Sequence, residues 1–185
     1  MKNGYQVYDE QNAPAGAADL LIAAKAVYGF IPNAVGAMAE APQVLQAYLA
    51  MGELAEKSSL SPEQRMLLML VASVENACDY CVPAVSTFAR AGGIDPELID
   101  AVRDDRPLAD KKLEVLRRFA SKVVRNRGWV SDTDIKAFLA SGYSRQQSME
   151  VVLVVLWKSV AMYVNRMTDP LLDDVFQEEQ WNKVA

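Results

Sequence analysis

The chain has 185 residues, a mass of 20.4 kDa and a net charge of −5 at pH 7, with a pI near 4.8. Such a chain has no excess of cations, which argues against nucleic acid and against an anionic membrane surface as partners. Its hydrophobic fraction of 51% and charged fraction of 23% are typical of a globular protein with an ample core. This size fits one domain, or one domain made of two similar halves.

Helix signals dominate the sequence and strand signals are scarce. The β-branched stretch 151–155 resembles a strand by propensity alone, but its length, its capping residue and its helical neighbours indicate a helix. We therefore expect an all-α fold. In chain order, the predicted helices cover 17–28, 42–57, a segment that begins at the capping box Ser61-Pro62-Glu63-Gln64, a segment from the cysteines to 92–93, then 96–103, 111–127, 132–141 and 144–167, followed by a mobile tail.

A faint internal repeat accompanies these helices. Shifting the chain by 83 residues places Ser61 on Ser144, Gln64 on Gln147 and Leu70 on Leu153. This predicts a single duplicated domain over 1–185, with halves at about 17–105 and 109–168 and a tail at 170–185. The alternative is that two buried helices look alike because each has a cap followed by leucine and valine.

The N-terminal segment 1–12 has no basic region followed by an apolar stretch, so we expect no secretory signal. The apolar stretch 151–164, interrupted by Lys158, is shorter than the roughly 20 residues of a membrane-spanning helix and is interpreted as a core helix. The predicted location is therefore the reducing cytoplasm. A Cys-x-x-Cys pair there is more often redox-active or metal-binding than a structural disulfide.

The two cysteines of the chain are Cys78 and Cys81, in the sequence Cys-Asp-Tyr-Cys, and the chain has no histidine. In the first turn of a helix, backbone N–H groups and the helix dipole favour a thiolate, and the two sulfurs lie close enough to join. One alternative is a pair of inert buried thiols. Zinc is another, although a structural site needs about four ligands and one chain offers two, unless two subunits share a site. We expect no cofactor and no metal.

Residues 75–86, Glu-Asn-Ala-Cys-Asp-Tyr-Cys-Val-Pro-Ala-Val-Ser, resemble the signature of the carboxymuconolactone decarboxylase and alkylhydroperoxidase-D-like family. Segments 28–33, 60–65 and 158–165 resemble further parts of that family, and together the resemblance covers about 8–176. It implies an all-helical, duplicated fold that assembles into homo-oligomers, trimers or hexamers. It also implies a dithiol that reduces a peroxide substrate and is regenerated by a dithiol or lipoyl reductant.

The resemblance fails at two positions. In the peroxidase members, a glutamate twelve residues before the first cysteine and a histidine four residues after the second form a proton relay. Here those positions hold Met66 and Val85. General-base assistance is typically worth about 10²- to 10⁴-fold in rate. We therefore expect a redox-competent but slow peroxidase.

Two nearby residues are weaker candidates for catalytic roles. Glu75 lies three residues before Cys78. As a carboxylate it would raise the pKa of a nearby thiol, whereas as a neutral group it could act as a base. The alternative is a structural role at a helix junction. Tyr80 and Tyr163 could donate hydrogen bonds to a sulfur or a peroxide, although aromatic residues at such positions more often serve packing.

The sequence thus predicts a thiol-dependent redox protein, either a peroxidase or a disulfide reductase. Because the family couples its relay to the second cysteine, Cys81 is the predicted peroxide-reactive thiol. Cys78, nearer the helix start, would resolve the oxidised sulfur and meet the reductant. The alternative is a non-enzymatic redox-sensing or structural oligomer of the same fold. Lactone decarboxylation ranks third, because no placed acid and base are visible.

Overall fold

The computed structural model describes residues 1–182, which form α-helices, one 3₁₀ helix and no strand. This confirms the predicted all-α class. The helices are α1 (Ala18–Tyr28), α2 (Asn33–Met38), α3 (Pro42–Glu56), α4 (Pro62–Glu75), α5 (Cys81–Ala91), α6 (Pro96–Arg103), α7 (Lys111–Arg125), α8 (Asp132–Ala140) and α9 (Arg145–Thr168), and the 3₁₀ helix is Asp174–Glu179.

Local side-chain chemistry sets where the two central helices begin. At α4, the Ser61 hydroxyl accepts a hydrogen bond from the Gln64 N–H at 3.2 Å, and the Gln64 amide oxygen accepts from the Ser61 N–H at 2.9 Å. Ser144 and Gln147 make the same reciprocal pair at the start of α9. Both capping boxes were predicted, because each depends only on residues three apart in the sequence.

Helices α4 and α9 form the centre of the molecule. Helix α4 packs against α5, α6, α7 and α9, whereas α9 packs against α2, α3, α4 and α7. A large buried cluster lies between α4, α7 and α9, and a second one lies beneath α1 and α3. A third, smaller cluster surrounds the two cysteines and includes Met162 and Phe176. The cysteines therefore lie where α4, α5, α9 and the C-terminal segment meet.

Helix α9 has 24 residues and a mean hydropathy of 1.3 in its most apolar window, so by length and composition it could cross a membrane. Its packing shows a different environment. It touches helices on several sides, and its buried face carries the polar residues Lys158 and Asn165. This arrangement agrees with its interpretation as a core helix.

Helix α2 was not predicted from the sequence. It follows Pro32, and its Gly36 lies against the N-terminal segment, where a Cβ at that position would be 2.7 Å from the Tyr8 carbonyl oxygen. Glycine at position 36 is thus required by close packing between two backbones.

The prediction of a mobile C-terminal tail is wrong for the segment 174–179. Phe176 is 1% exposed and packs against Phe30 and Phe88, with ring centroids 5.9 and 5.5 Å away. Glu179 forms ion pairs with Arg90 at 2.5 Å and Arg103 at 3.0 Å. Buried aromatic contacts and a carboxylate held by two guanidinium groups fix this segment, and residues 183–185 of the predicted tail lie outside the described residues.

The internal duplication and its proposed halves stay predictions. A shift of 83 residues carries the start of α4 onto the start of α9 and Cys81 onto Val164, inside the same long helix. The turn that separates α4 from α5 therefore has no counterpart in α9.

Candidate redox site

A tight turn between α4 and α5 places the cysteines. Ala77 has φ of 47°, in the left-handed region, and the Cys78 N–H donates to the Ser73 carbonyl oxygen at 3.0 Å. A left-handed residue after the last turn commonly ends a helix, usually as glycine. Here it reverses the chain and leaves Cys78 at the beginning of the next helix.

Cys78 caps α5. Its carbonyl oxygen accepts from the Val82 N–H at 3.0 Å, and its Sγ accepts from the Cys81 N–H at 3.2 Å. The second bond spans three residues, as the bond from Gln64 N–H to Ser61 does at α4. The Cys78 sulfur therefore occupies a helix N-terminus, where backbone donors favour a negative charge.

Both cysteines are free thiols and are nearly inaccessible, with exposures of 2% for Cys78 and 1% for Cys81. Within residues 1–182, no group of three or more cysteine, aspartate or glutamate side chains could hold a metal ion. Asn165 on α9 lies against both sulfurs, and its Nδ2 donates to Cys81 Sγ at 3.4 Å and, at 4.0 Å, to Cys78 Sγ.

The environment makes the two thiols unequal. A hydrogen bond from the Cys81 side chain lowers the pKa of Cys78 from 9.0 to about 7, against the opposing effect of burial and with help from the charge of Lys158. Burial and the interaction with Cys78 raise the pKa of Cys81. The pair therefore loses its first proton mainly from Cys78. A pKa of about 7 means that about half of this thiol is ionised at pH 7, rather than a few per cent.

A cavity of about 660 Å³ lies next to this pair. Cys81 contributes to its wall, whereas Cys78 lies behind it. Helix α9 contributes Lys158 and Asn165 to the same cavity, and most of the remaining surface is apolar. A small molecule in the cavity would thus meet the sulfur of Cys81 before that of Cys78.

The two positions where the resemblance implies relay residues also border the cavity. Met66 comes from α4 and Val85 from α5, and both line the wall to which Cys81 belongs. Neither side chain can carry a proton. The two residues that the resemblance implies for a proton relay are therefore replaced by apolar side chains at the cavity wall.

Glu75 is occupied elsewhere. Its carboxylate accepts a hydrogen bond from Arg125 Nε at 2.5 Å and another from the Ser121 hydroxyl, and both partners belong to α7. It does not line the cavity. These contacts favour the structural alternative, in which Glu75 ties the end of α4 to α7.

Tyr80 borders the cavity, but its hydroxyl has other partners. It accepts from the Ala34 N–H at 3.2 Å and donates to the carboxylate of Asp173. Burial and the Asp173 hydrogen bond raise the pKa of Tyr80. These contacts favour a role in holding α2 and the C-terminal segment in place. Tyr163 is 61% exposed and does not line the cavity, so the structure does not bring it to the sulfurs.

Sequence reasoning assigned no role to Lys158 or Asn165. Within α9 they lie seven residues apart, on one face of the helix, and both are buried. The available signal was a lysine and an asparagine at helical spacing in an apolar segment. Only the contacts of Asn165 with the two sulfurs show that this face meets the cysteines.

Comparisons with known proteins agree with this description. Residues 42–121, which include both cysteines, match the carboxymuconolactone decarboxylase family. A peroxidase-related protein from Ralstonia eutropha JMP134, described as an alkylhydroperoxidase AhpD core, has a TM-score of 0.81 and 19% identity over 93% of both chains. The sequence has no significant match among the curated proteins.

Two further structures have the same architecture. A peroxidase-related protein from Silicibacter sp. TM1040 has a TM-score of 0.77 and 22% identity, covering 95% of this chain and 96% of that one. The debrominase Bmp8, solved with 2,3,4-tribromopyrrole, has a TM-score of 0.81 and 13% identity over 96% of both chains. The chain thus has the alkylhydroperoxidase-D-like fold. Its residues 42–121 are similar to the carboxymuconolactone decarboxylase family.

Proposed function

We propose that this protein is a thiol peroxidase that uses Cys81 and Cys78 to reduce a peroxide. The observation that carries the proposal is the arrangement of two free thiols, of which one accepts a hydrogen bond from the first N–H of α5 and the other borders a cavity. The peroxidase-related proteins of similar fold support it.

In this proposal Cys78 first takes the proton of the Cys81 thiol, and Cys81 then attacks the peroxide. The Cys78 thiolate is the acceptor for the Cys81 S–H, so proton transfer between the sulfurs creates a Cys81 thiolate at the cavity wall. That thiolate has the higher pKa and is therefore the more nucleophilic sulfur. It attacks the terminal oxygen of the hydroperoxide, an S–O bond forms as the O–O bond breaks, and Cys81 becomes a sulfenic acid while the alkoxide leaves.

Cys78 then resolves this intermediate. Its sulfur attacks the sulfenic sulfur, the S–S bond forms, and the hydroxide that leaves takes the proton of the Cys78 thiol and becomes water. The alkoxide takes up a proton that comes ultimately from solvent and becomes the alcohol. The net change is the oxidation of the cysteine pair to a disulfide and the reduction of the hydroperoxide to an alcohol and water. A dithiol reductant restores the pair by two successive exchange reactions.

Burial favours peroxide over a protein disulfide as the oxidant. With exposures of 1–2%, neither sulfur can be approached by a disulfide carried on a protein surface, whereas a small peroxide can enter the cavity. The same restriction applies to the reductant. A dithiol on a slender arm, such as a lipoyl group, can reach the buried sulfurs more easily than a folded protein can. A cytoplasmic location would supply such reductants.

The alternative function is a redox-sensing or structural oligomer without turnover. Assembly into homo-oligomers is part of both proposals and is supported by large apolar side chains that remain exposed in a single chain, among them Val27, Leu156 and Met167. Light scattering with and without reductant would measure the subunit number and its dependence on the redox state.

The deciding experiment is a peroxide-consumption assay with cumene hydroperoxide and either dihydrolipoamide or glutathione. We expect turnover with dihydrolipoamide in the wild type, loss of turnover in Cys81→Ser, and in Cys78→Ser a single oxidation without turnover. Mass spectrometry should find an intramolecular Cys78–Cys81 disulfide after one equivalent of peroxide. Absence of turnover in the wild type, or unchanged turnover in Cys81→Ser, would overturn the proposal.

A further inference from the structure

Lys158 has an environment that is unusual for a lysine. It is 7% exposed and is the one lysine within residues 1–182 that is buried. In that part of the chain it makes no ion pair with a carboxylate and no side-chain hydrogen bond, although the exposed Lys25 and Lys57 each have a glutamate partner. Burying an unpaired ammonium group is costly, so its place at the cavity wall calls for a negatively charged or electron-rich partner.

Asn165 presents a second unsatisfied group beside the sulfurs. Its Nδ2 is occupied by Cys81 Sγ at 3.4 Å, but its Oδ1 is buried and has no hydrogen-bond partner among the described residues. Asn165 is 5% exposed and lines the cavity. A buried acceptor without a donor is uncommon in proteins and points to a ligand that brings an O–H or N–H group.

A hydroperoxide has the two features that these residues lack. Its terminal oxygen carries the O–H that an amide oxygen accepts. Its inner oxygen becomes an alkoxide when the O–O bond breaks and then needs a proton. Lys158 and Asn165 lie seven residues apart on one face of α9, and both face the cavity that contains Cys81.

Building on the peroxidase function proposed above, we propose that Lys158 and Asn165 replace the missing glutamate–histidine relay. Asn165 Oδ1 accepts the O–H of the hydroperoxide and holds the attacked oxygen next to Cys81. As Cys81 Sγ bonds to that oxygen, the electron pair of the O–O bond moves to the inner oxygen, and the Lys158 ammonium gives it a proton. The products are the sulfenic acid, the alcohol and a neutral lysine, which regains its proton from solvent.

A simpler role for Lys158 is that of a counterion. Its charge lowers the pKa of both thiols, and a residue that only stabilises a thiolate would also affect the rate. The two roles differ in what arginine can do. Arginine supplies the same charge but holds its proton too tightly to give it up, whereas lysine can lose its proton in a buried site.

The two roles also differ in their dependence on the leaving group. An alkyl hydroperoxide releases an alkoxide, which is strongly basic and needs a proton in the transition state. A peracid releases a carboxylate, which does not. A proton donor therefore accelerates reduction of cumene hydroperoxide much more than reduction of peracetic acid, whereas a counterion accelerates both equally.

The test measures single-turnover disulfide formation by stopped flow and mass spectrometry, with these two oxidants and four variants. The variants are Lys158→Met, Lys158→Arg, Asn165→Leu and, as a surface control, Lys136→Met on α8. Rates are corrected for the thiolate fraction, obtained from absorbance at 240 nm as a function of pH. Circular dichroism melts show which variants are folded.

We expect Lys158→Met and Lys158→Arg to lose about 10²-fold or more in rate with cumene hydroperoxide and less than about 5-fold with peracetic acid. Asn165→Leu should lose rate with both oxidants, because each carries the O–H that Oδ1 accepts. Lys136→Met should match the wild type. Should Lys158→Met fail to fold, Lys158→Arg decides alone, since it keeps the charge and most of the volume.

Equal losses with both oxidants, or full rescue by arginine, would overturn the proton-donor role while leaving the peroxidase function intact. Wild-type rates in Asn165→Leu would overturn the role of Asn165. A wild-type protein that reduces neither oxidant would overturn the peroxidase function itself, and this inference with it.

Discussion

The hydrogen bond between the two sulfurs makes a prediction about Cys78 that needs no substrate. Lowering the pKa of this thiol from 9.0 to about 7 corresponds to roughly 3 kcal/mol in favour of the thiolate, and the Cys81 side chain is the largest cause. Hydrogen bonds to charged groups are worth about 1.5–3 kcal/mol. Removing the donor with Cys81→Ala should therefore raise the Cys78 pKa to about 8–9, whereas Cys81→Ser keeps a hydroxyl donor and should leave it near 7.

The assay compares these two variants, which differ by one oxygen atom. Absorbance at 240 nm against pH gives the thiolate pKa, and the rate of alkylation by iodoacetamide at pH 7 gives an independent measure. With about half of Cys78 ionised in Cys81→Ser and about 1–10% in Cys81→Ala, alkylation should slow by about 5- to 50-fold. Cys78→Ala serves as the control, because it should remove the titration near pH 7 altogether.

If Cys81→Ala and Cys81→Ser titrate alike near pH 7, the bond between the sulfurs does not set the pKa, and the helix N-terminus and Lys158 must account for it. If both titrate near pH 9, the serine hydroxyl does not replace the thiol as a donor, and the bond between the sulfurs remains the cause of the lowered pKa. The first result would also remove Cys78 as the base proposed for Cys81.

Three further predictions concern the cavity and the fold. Met66→Glu combined with Val85→His should raise peroxide consumption at least tenfold over either single variant, because it restores the relay positions at the cavity wall; no gain would favour a non-enzymatic role. Burial raises the pKa of Glu114, but hydrogen bonds from two arginines outweigh this and lower it to about 2, so its stabilisation is present above pH 4.5 and is lost as pH falls towards 2. Glu114→Gln should therefore lower the free energy of unfolding by about 2 kcal/mol at pH 7, after allowance for solvent screening. Urea unfolding should show this difference from the wild type vanishing near pH 2, and a difference that does not depend on pH would contradict the prediction. Phe176→Ala should lower the free energy of unfolding by about 3 kcal/mol or release the segment 174–179, which would show as faster amide exchange there. Val175→Ala, at an exposed position, should change little. Equal exchange rates in the two variants would contradict the docked arrangement.

The elements that could be predicted are those that local chemistry determines. The starts of α4 and α9 follow from serine and glutamine three residues apart, and the start of α6 follows from Asp95, whose carboxylate accepts from the Glu97 N–H at 3.0 Å. The Cys-x-x-Cys spacing is equally local, because it predicts that two sulfurs share one helix start. Each of these predictions uses only neighbouring residues, and the structure places each feature within one or two residues of the expected position.

The features that were missed depend on residues far apart in the sequence. Phe176 is buried because it packs against Phe30 and Phe88. Both partners lie more than 80 residues before it, and the sequence of the tail contains no signal that predicts these contacts. Lys158 looked like an interruption of an apolar stretch. Whether such a lysine faces solvent or a cavity depends on the rotation of α9 about its axis, which packing against α2, α3, α4 and α7 decides.

The replacements at positions 66 and 85 and the burial of Lys158 have a common electrostatic consequence. Met66 and Val85 put apolar side chains at two positions of the wall to which Cys81 belongs, so the field of a buried ammonium acts there through a weakly screening medium. In a wall with a carboxylate at position 66, the same lysine would pair with it and lose most of its effect on sulfur. An apolar wall on α4 and α5 and a cation on α9 therefore work together. We accordingly expect Met66→Glu alone to slow peroxide reduction, and the histidine of the double variant to be required for any gain.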